Sequence, residues 1–273
     1  KLERQEFDWA GAFLALTALG ALLFFASRGQ DYSWSLPVLL VGASAILLGI
    51  LFIWHENRFS QPMLDLTLFS SRVFTAGNIA ALFHFITQYI IVFITPFYLQ
   101  QQLGYSPSAA GIIMTAFPLT VLVTSPLSGA LSDKIGNRFL SIAGALFCAA
   151  GALYLSFAGS GMAPLDIAWR LSLFGLGTGM FQAPNNSAIM GSVPKRRLGI
   201  AGGVLATVRN VGMVFGIALA SAVLAARHVS HLIAGNPLAY LHAMQDAYLT
   251  AAVMSLICCF ACFFVSSGGL KKG

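Results

Sequence analysis

Polar side chains recur on one face of an otherwise apolar stretch at residues 73–98. In a helix, steps of seven and four residues nearly complete whole turns, and such steps bring together Gly77, His84, Gln88 and Thr95. Because imidazole titrates near neutral pH, His84 could sense or relay protons. Polar atoms facing lipid would be costly, so this face either lines an aqueous cavity or makes structural hydrogen bonds to a neighbouring helix.

A second polar face lies on residues 166–186. Its members at helical spacing are Ser172, Gly175, Gly179, Gln182 and Asn186, with Asn185 beside them. Pro184 leaves a backbone carbonyl one turn earlier without its usual donor. The stretch is either the wall of a binding pocket or a helix end that has already reached water. On the first interpretation, the candidate pocket residues are His84, Gln88, Gln182, Asn185 and Asn186.

Charged residues inside apolar stretches are also informative. Arg209 lies about ten residues beyond the basic turn at 195–197, where an unpaired charge costs a few kcal/mol, so it needs a partner or a path to water. Arg170 follows Asp166 by four residues, a spacing typical of an ion pair along a helix. None of the nine acidic residues lies at the middle of an apolar stretch. We therefore expect any proton-coupling carboxylate to lie outside this sequence.

Two short motifs resemble metal sites but lack a complete ligand set. His228 and His231 form an HxxH pair, and two histidines alone make a poor metal site. No histidine or carboxylate accompanies Cys259 and Cys262, so we interpret them as small buried hydrophobes. No cluster supplies a nucleophile, a base and an orienting group. We expect no metal, no cofactor and no enzymatic activity.

The composition identifies the elements that must position these residues. The chain is 58% hydrophobic and 9% charged, with a mean hydropathy of +0.80, whereas soluble domains are about 25% charged. A soluble globular domain is therefore excluded, and we predict an all-α polytopic membrane protein with about eight transmembrane helices. The predicted spans are residues 8–26, 36–54, 73–98, 109–131, 139–159, 166–186, 200–226 and 245–266.

Lysine and arginine are distributed unequally between alternate loops. Eleven lie in the loops on one side, and two, Arg28 and Arg227, lie on the other. The positive-inside rule then places the basic side, with both ends of this sequence, in the cytoplasm. The net charge of +6 reflects this topology rather than nucleic-acid binding, because the basic residues are not clustered on a polar domain.

The spans fall into two groups. Residues 1–72 are predicted to form two extra helices and a cytoplasmic amphipathic segment at 55–72 with Pro62 at its bend, and residues 73–273 a six-helix domain. The six spans divide into two triplets, both interrupted by glycine and proline as at transporter repeat interfaces, so an internal repeat is a hypothesis. Because the chain begins KLERQEF without a signal-peptide pattern, we expect a fragment of a longer protein.

Several segments resemble a known family. GALSDKIGNR, residues 129–138, resembles the loop between the second and third helices of a six-helix domain in the major facilitator superfamily. PFYLQQQLGYSPSAAGI with the following Pro118, and the segment 175–224, are similar to the EmrB/QacA type of fourteen-helix drug:proton antiporter. HENRFSQPMLDLTLF resembles that group's linker after its eighth helix. The resemblance implies that the C-terminal domain is present and that an N-terminal six-helix domain, with the antiporter motif and membrane acid, is missing.

This resemblance also implies a function. The implied protein is a secondary transporter of the cell inner membrane, which exports small amphipathic, often cationic compounds against proton entry by alternating access. Its partners would be the substrate, protons, the lipid bilayer and the missing N-terminal domain. Two alternatives stay open: a facilitator-fold exporter of another solute, such as a siderophore or metabolite, and a non-transporting membrane sensor or scaffold.

The turn at residues 129–138 is the candidate gating loop, with Gly129, Asp133, Lys134, Gly136 and Arg138. Gly129 would permit close helix contact and Gly136 a tight turn. Asp133 would favour a helix N-terminus or pair with Arg138, while Lys134 would meet anionic headgroups. The loop is either a switch whose contacts form in one gate state and break in the other, or a purely topological anchor.

Overall fold

The computed structural model of the chain describes residues 8–28, 35–56, 58 and 66–265. The predicted all-α class is confirmed, because every regular element in these residues is helical. The longer helices are α1 Trp9–Arg28, α2 Leu36–Glu56, α3 Arg72–Phe97, α4 Pro107–Met114, α5 Ala116–Ile135, α6 Asn137–Ser156, α7 Pro164–Gly191, α8 Leu198–Ile233 and α9 Ala239–Cys262. Short 3-10 turns at Leu66–Ser70 and Lys195–Arg197 precede α3 and α8.

Six helical segments of the described residues are long and apolar enough to cross a membrane. They are Leu36–Glu56, Arg72–Gln102, Pro107–Ile135, Asn137–Ser156, Lys195–Ile233 and Ala239–Cys262. The apolar part of α1, Trp9–Leu22, is shorter. The 28-residue α7 is outside this set although it is long enough, and its sequence carries the polar and glycine residues of the second polar face. The chain is therefore a multi-pass membrane protein, and the count of eight spans stays a prediction.

Local sequence explains where the helices begin and break. Ser71 caps α3 by accepting a hydrogen bond from the Phe74 N–H. Pro118 offers no N–H to the carbonyl of Met114, and the helix breaks at Thr115 between α4 and α5. Pro184 lies inside α7 without interrupting it. Gly136 joins α5 to α6 with φ of +91°, a conformation that favours glycine.

The helices α3 to α9 form one bundle. Around it, α5 packs on α7, α7 on α6, α6 on α9, α9 on α3 and α3 on α8, and a further contact joins α3 to α7. The α1–α2 pair contacts this bundle through α8. Residues 57 and 59–65 of the predicted amphipathic segment 55–72, including Pro62, lie outside the described residues. In its described part, Thr67 Oγ1 accepts a hydrogen bond from the Arg197 Nη1 at 2.8 Å, which joins the 3-10 turns at Leu66–Ser70 and Lys195–Arg197.

Candidate functional site

A cavity of about 360 Å³ lies between α3, α7 and α8. Each of these helices contributes both polar and apolar side chains at helical spacing, and α8 also contributes the small residues Gly202 and Ala206. The lining residues are Phe85, Gln88, Tyr89, Gln182, Asn186, Met190, Gly202, Leu205, Ala206 and Arg209. Of the candidate pocket residues, Gln88, Gln182 and Asn186 are therefore brought together, and Arg209 joins them. The cavity lies in the half of α8 nearer the Lys195–Arg197 turn.

An amide network forms the wall between α3 and α7. The Gln182 Nε2 donates to Gln88 Oε1 at 3.3 Å and lies 3.4 Å from His84 Nε2. The other amide atoms, Gln182 Oε1 and Gln88 Nε2, have no hydrogen-bond partner among the described residues, although both side chains are only half-buried. These two atoms are available to a ligand.

His84 lies behind the cavity wall rather than on it. Its side chain is 1% exposed and stacks on Phe181, with ring centroids 4.4 Å apart. Its Nδ1 is buried and has no hydrogen-bond partner in the described part of the chain. The structure thus gives His84 the interhelical contact to Gln182, and the cavity reaches His84 only through that amide.

Asn185 also lies outside the cavity lining. It is fully buried, and its Nδ2 donates to the Gly77 carbonyl at 3.1 Å. A Cβ on Gly77 would lie 2.6 Å from Ile189 Cγ1, so α3 and α7 meet closely here. At the far end of the same face, Thr95 accepts a hydrogen bond from the Tyr248 hydroxyl of α9 at 3.1 Å. Gly77 and Thr95 therefore serve helix packing.

Arg209 lies at the rim of the cavity and is exposed. It is the one charged lining residue, and no described carboxylate lies within ion-pair distance of it. Of its two sequence-based alternatives, an ion-pair partner is not found among the described residues, and a path to water stays a prediction. A charge on a membrane helix is tolerated where it faces an aqueous cavity.

The second polar face splits into two parts. Gln182 and Asn186 line the cavity, whereas Gly175 and Gly179 pack against α5. A Cβ on Gly175 would lie 2.7 Å from the Phe117 carbonyl oxygen. The Gly179 carbonyl accepts a hydrogen bond from Ser128 Oγ at 3.0 Å. The glycines of α7 are therefore contact residues, and only its end nearer residue 191 faces the cavity.

The apolar lining residues were not identified from the sequence. Phe85 directly follows His84 and Tyr89 directly follows Gln88, and aromatic residues at such positions are ordinary in a membrane helix. A usable signal exists on α8, where Gly202, Leu205 and Arg209 recur at steps of three and four residues. Following that spacing from Arg209 back to Gly202 would have indicated that α8 forms a wall of the cavity.

Small residues make the close helix contacts. Gly212 and Gly216 of α8 meet α3, where added Cβ atoms would lie 2.7 Å from Phe85 Cβ and from the Ile86 carbonyl oxygen. The contact of α6 with α7 has no counterpart in the sequence analysis. A Cβ on Gly144 would lie 2.6 Å from the Phe181 nitrogen and 2.7 Å from the Gly177 carbonyl oxygen. Backbone touches backbone at this crossing.

The candidate gating loop is only partly as expected. Gly136 supplies the turn, but a Cβ on Gly129 would meet only Ala183 Cβ at 3.9 Å, an ordinary contact. Asp133 and Lys134 are exposed in the last turn of α5, and no ion pair joins Asp133 to Arg138. The Arg138 guanidinium lies 5.9 Å from the ring centroid of Phe263 instead. This cation–π contact links the turn to the chain just after α9.

At the end of the bundle opposite the candidate gating loop, the charged residues make contacts that differ from those expected. The predicted Asp166–Arg170 ion pair is not formed, because the Arg170 Nη1 donates to the Tyr154 carbonyl at 3.0 Å, near the end of α6. His231 Nε2 lies 2.8 Å from Asp246 Oδ2, which also accepts from the Arg227 Nε at 2.6 Å.

The remaining motif residues are accounted for by packing. The His228 ring packs edge-on against a tyrosine of α9, Tyr240, at 5.1 Å between centroids. All four cysteines are buried free thiols, as expected for small hydrophobes.

Comparison with known proteins identifies the family. Residues 77–272 match the family described as Major Facilitator Superfamily. The chain is 33% identical over 261 residues to the riboflavin transporter RibZ of Clostridioides difficile, covering 93% of this chain and 55% of that protein. It is 32% identical over 223 residues to the multidrug resistance protein Stp of Mycobacterium tuberculosis, covering 81% of this chain and 41% of that protein. The multidrug transporter protein MdtP of Bacillus subtilis is also 32% identical, with the same coverage.

A solved structure shows the same fold. It is the bacterial homologue of the human lysosomal transporter Spinster in an inward-facing and occupied conformation, with a TM-score of 0.61 and 17% identity over 94% of this chain and 65% of that chain. The chain thus spans about half the length of the curated relatives it matches. With its apolar helices, its close-packed bundle and these matches, the chain belongs to the major facilitator superfamily.

Proposed function

We propose that the chain is the C-terminal portion of a fourteen-helix transporter of the EmrB/QacA type, which exports small amphipathic compounds in exchange for protons by alternating access. The observation that carries the proposal is the cavity of about 360 Å³, which three helices enclose with amides, aromatic rings and one arginine. Relatives named as multidrug resistance and riboflavin transporters support small organic substrates.

The arrangement of the bundle supports the proposed division of the chain. Residues 73–273 would be the six-helix C-terminal domain, and residues 1–72 would hold the two inserted helices, which contact the bundle through α8. The missing N-terminal domain would close the cavity from its open side. Among the described residues no acid lines the cavity, so the proton-coupling carboxylate would belong to that domain.

The turn at residues 129–138 would act as the gate on the cytoplasmic side. Asp133 and Lys134 are exposed at the end of α5, where they can contact the missing domain in one gate state and release it in the other. Gly136 and the Arg138 contact with Phe263 would fix the turn to its own bundle.

Transport by the complete protein tests this proposal. The full-length protein is reconstituted in proteoliposomes with an imposed pH gradient, and uptake of amphipathic dyes is compared with that of empty liposomes. We expect dye movement that stops when the gradient is collapsed. Dye movement that ignores the gradient would refute proton coupling. No movement of any dye, beside an active reference antiporter, would favour a sensor or scaffold.

A second candidate is the export of a metabolite rather than of foreign compounds. The 33% identity to a riboflavin transporter over 93% of this chain favours it, as do the amide atoms open to the cavity. Drug resistance of a deletion strain separates the two, because a metabolite exporter would leave the resistance profile unchanged while its solute accumulates inside the cell.

A further inference from the structure

We propose that Arg209 and the Gln88–Gln182 amide pair make this cavity selective for acidic, planar aromatic compounds. This inference rests on the proposed transport function. It predicts anionic substrates in place of the often cationic ones that the family resemblance implies. It is carried by three separate properties of the lining residues: their charge, the direction of their hydrogen bonds and the shape of the apolar wall.

The charge of the cavity is positive. Among the described residues that line the cavity, Arg209 alone carries a charge at neutral pH, and its guanidinium has no carboxylate partner among them. It lies eleven residues after Leu198, about 17 Å along α8, so it stands well inside the membrane helix. Although Arg209 is exposed at the cavity rim, Coulomb attraction between opposite charges near a protein surface is stronger than in bulk water. A carboxylate or phenolate gains from it, and a permanent cation is repelled.

The hydrogen bonds of the wall have a fixed direction. The Gln182 Nε2 is the donor to Gln88 Oε1, so the same nitrogen faces His84 Nε2 as a donor too. His84 Nε2 accepts from this nitrogen in the tautomer that carries its proton on Nδ1. This leaves Gln182 Oε1, an acceptor, and Gln88 Nε2, a donor, without hydrogen-bond partners among the described residues, on two side chains that line the cavity. A carbonyl or amide edge of a planar ligand satisfies both atoms.

The apolar lining sets the ligand's shape. Phe85 and Tyr89 stand on α3, one turn apart, and Met190 and Leu205 face them from α7 and α8. Aromatic rings and a thioether give a planar ring system dispersion contacts on its faces. A flat ring therefore fits between apolar walls while its acidic group reaches Arg209 at the rim.

Binding of two matched dyes tests the proposal. Fluorescein and rhodamine 123 share a xanthene ring, but the first is an anion and the second a cation at neutral pH. Their affinities for the purified full-length protein in a non-ionic detergent are measured by fluorescence anisotropy. We expect Arg209→Gln to weaken fluorescein binding at least about tenfold, as for loss of one charge-assisted hydrogen bond, and to leave rhodamine 123 binding unchanged or tighter. Arg209→Lys should retain most of the fluorescein affinity.

The control variant is Arg196→Gln, which removes the same charge from the exposed turn before α8 without touching the cavity. It should change neither affinity. The proposal is overturned if fluorescein does not bind, if Arg209→Gln binds it as tightly as the control, or if both dyes weaken equally. A wild-type protein that binds fluorescein but moves none across a membrane would instead refute the proposed transport and leave this selectivity standing.

Discussion

At the residue scale, the polar side chains of the membrane helices divide into two sets. Asn185 and Thr95 use their side-chain atoms in contacts between helices. Gln88 and Gln182 each keep one amide atom free of partners among the described residues, facing the cavity. Side chains of the second set can exchange water for a ligand without breaking the bundle, so we expect their substitution to change binding more than stability.

Replacing Gln182 with methionine tests this division. Gln182→Met keeps the length of the side chain but removes the hydrogen bond to Gln88 and the free Oε1. Loss of a neutral hydrogen bond should weaken ligand binding about three- to tenfold. The control is Gln245→Met, because the Gln245 Nε2 donates to the Ala158 carbonyl far from the cavity. It should lower the melting temperature and keep wild-type affinity. Equal affinities in the two variants would contradict the assignment.

The gating loop gives a second prediction at this scale. Asp133→Asn removes a charge that makes no ion pair within the described bundle, so membrane insertion should be normal. A change of about 1.4 kcal/mol in a gate contact would alter the ratio of gate states tenfold, and transport should fall accordingly. Transport is compared at equal membrane levels with Asp166→Asn, which removes an exposed acid near the opposite end of the bundle. Normal transport by Asp133→Asn would leave the loop as a topological anchor.

At the element scale, packing depends on glycine where helices cross. The contacts of α6 with α7 and of α8 with α3 both bring backbone atoms within the distance that a single Cβ would fill. Such contacts are specific, because neither helix can yield by a side-chain rotation. The close contact of α1 and α2 uses a buried acid instead, at the point where α1 begins.

Gly144→Ala tests the α6–α7 crossing. Its new Cβ would collide with the Phe181 nitrogen and the Gly177 carbonyl, so we expect a loss of about 1–3 kcal/mol in stability. Thermal unfolding in detergent, followed by intrinsic fluorescence, measures it. Gly203→Ala is the matched control, since a Cβ there meets nothing within 4 Å and alanine favours the helix. An unchanged melting temperature for Gly144→Ala would mean that the helices are further apart.

Asp8 gives a pH-dependent prediction for the α1–α2 pair. Its Oδ1 accepts from the Gly11 N–H at 2.7 Å and lies 3.0 Å from His55 Nε2. Burial disfavours the charged carboxylate, but the bonds from Gly11 and His55 outweigh it and hold the pKa of Asp8 below its usual 3.8. The ionised form therefore stabilises the pair above that value, and the stabilisation is lost as the pH falls through the lower, folded-state pKa.

Two variants separate the cap from the charge. Asp8→Ala removes both and should cost about 0.5–2 kcal/mol at neutral pH, whereas Asp8→Asn keeps a capping oxygen and should cost less. Melting temperatures are compared from neutral pH down to values well below 3.8, the usual pKa of this carboxyl. The wild-type advantage over Asp8→Asn should disappear at the acidic end. An advantage independent of pH would show that the charge does not contribute.

At the scale of the whole molecule, the outer surface is apolar along most of its helices. The α4–α5 segment exposes Leu119, Leu122, Val123 and Leu127, and few of its residues are buried. Lipid or the proposed N-terminal domain must cover these faces. The basic turns at Lys134, Arg138 and 195–197 lie together at one end of the bundle, which agrees with the unequal distribution of charges along the sequence.

Reporter fusions test the orientation of the bundle. A phosphatase joined after Ser192 should be inactive because this turn is expected in the cytoplasm, and one joined after Gly235 should be active on the other side. A green fluorescent protein at the same positions should give the opposite pattern. The same activity at both positions would contradict an intervening span at α8, and a reversed pattern would contradict the positive-inside assignment.

The sequence was sufficient to predict most of the helices and three of the residues that line the cavity. Hydropathy located the helices to within a few residues at most ends, and period-3.6 spacing selected Gln88, Gln182 and Asn186, because both signals are local. It did not separate His84 and Asn185 from the cavity lining, since residues on one helix face can meet either a neighbouring helix or open space. The α6–α7 crossing was missed for the same reason: which glycine meets which helix depends on tertiary packing.

The glycine contacts of α7 have a mechanical consequence. Helices slide past one another when the side chains between them can change rotamer, but α5 and α6 meet α7 through backbone atoms, where no rotamer exists. We therefore expect these three helices to move as one rigid body. The break at Thr115 separates the eight residues of α4 from that rigid body. Bending in this part of the bundle is expected at that joint, so α4 can tilt while the wall formed by α7 keeps its shape.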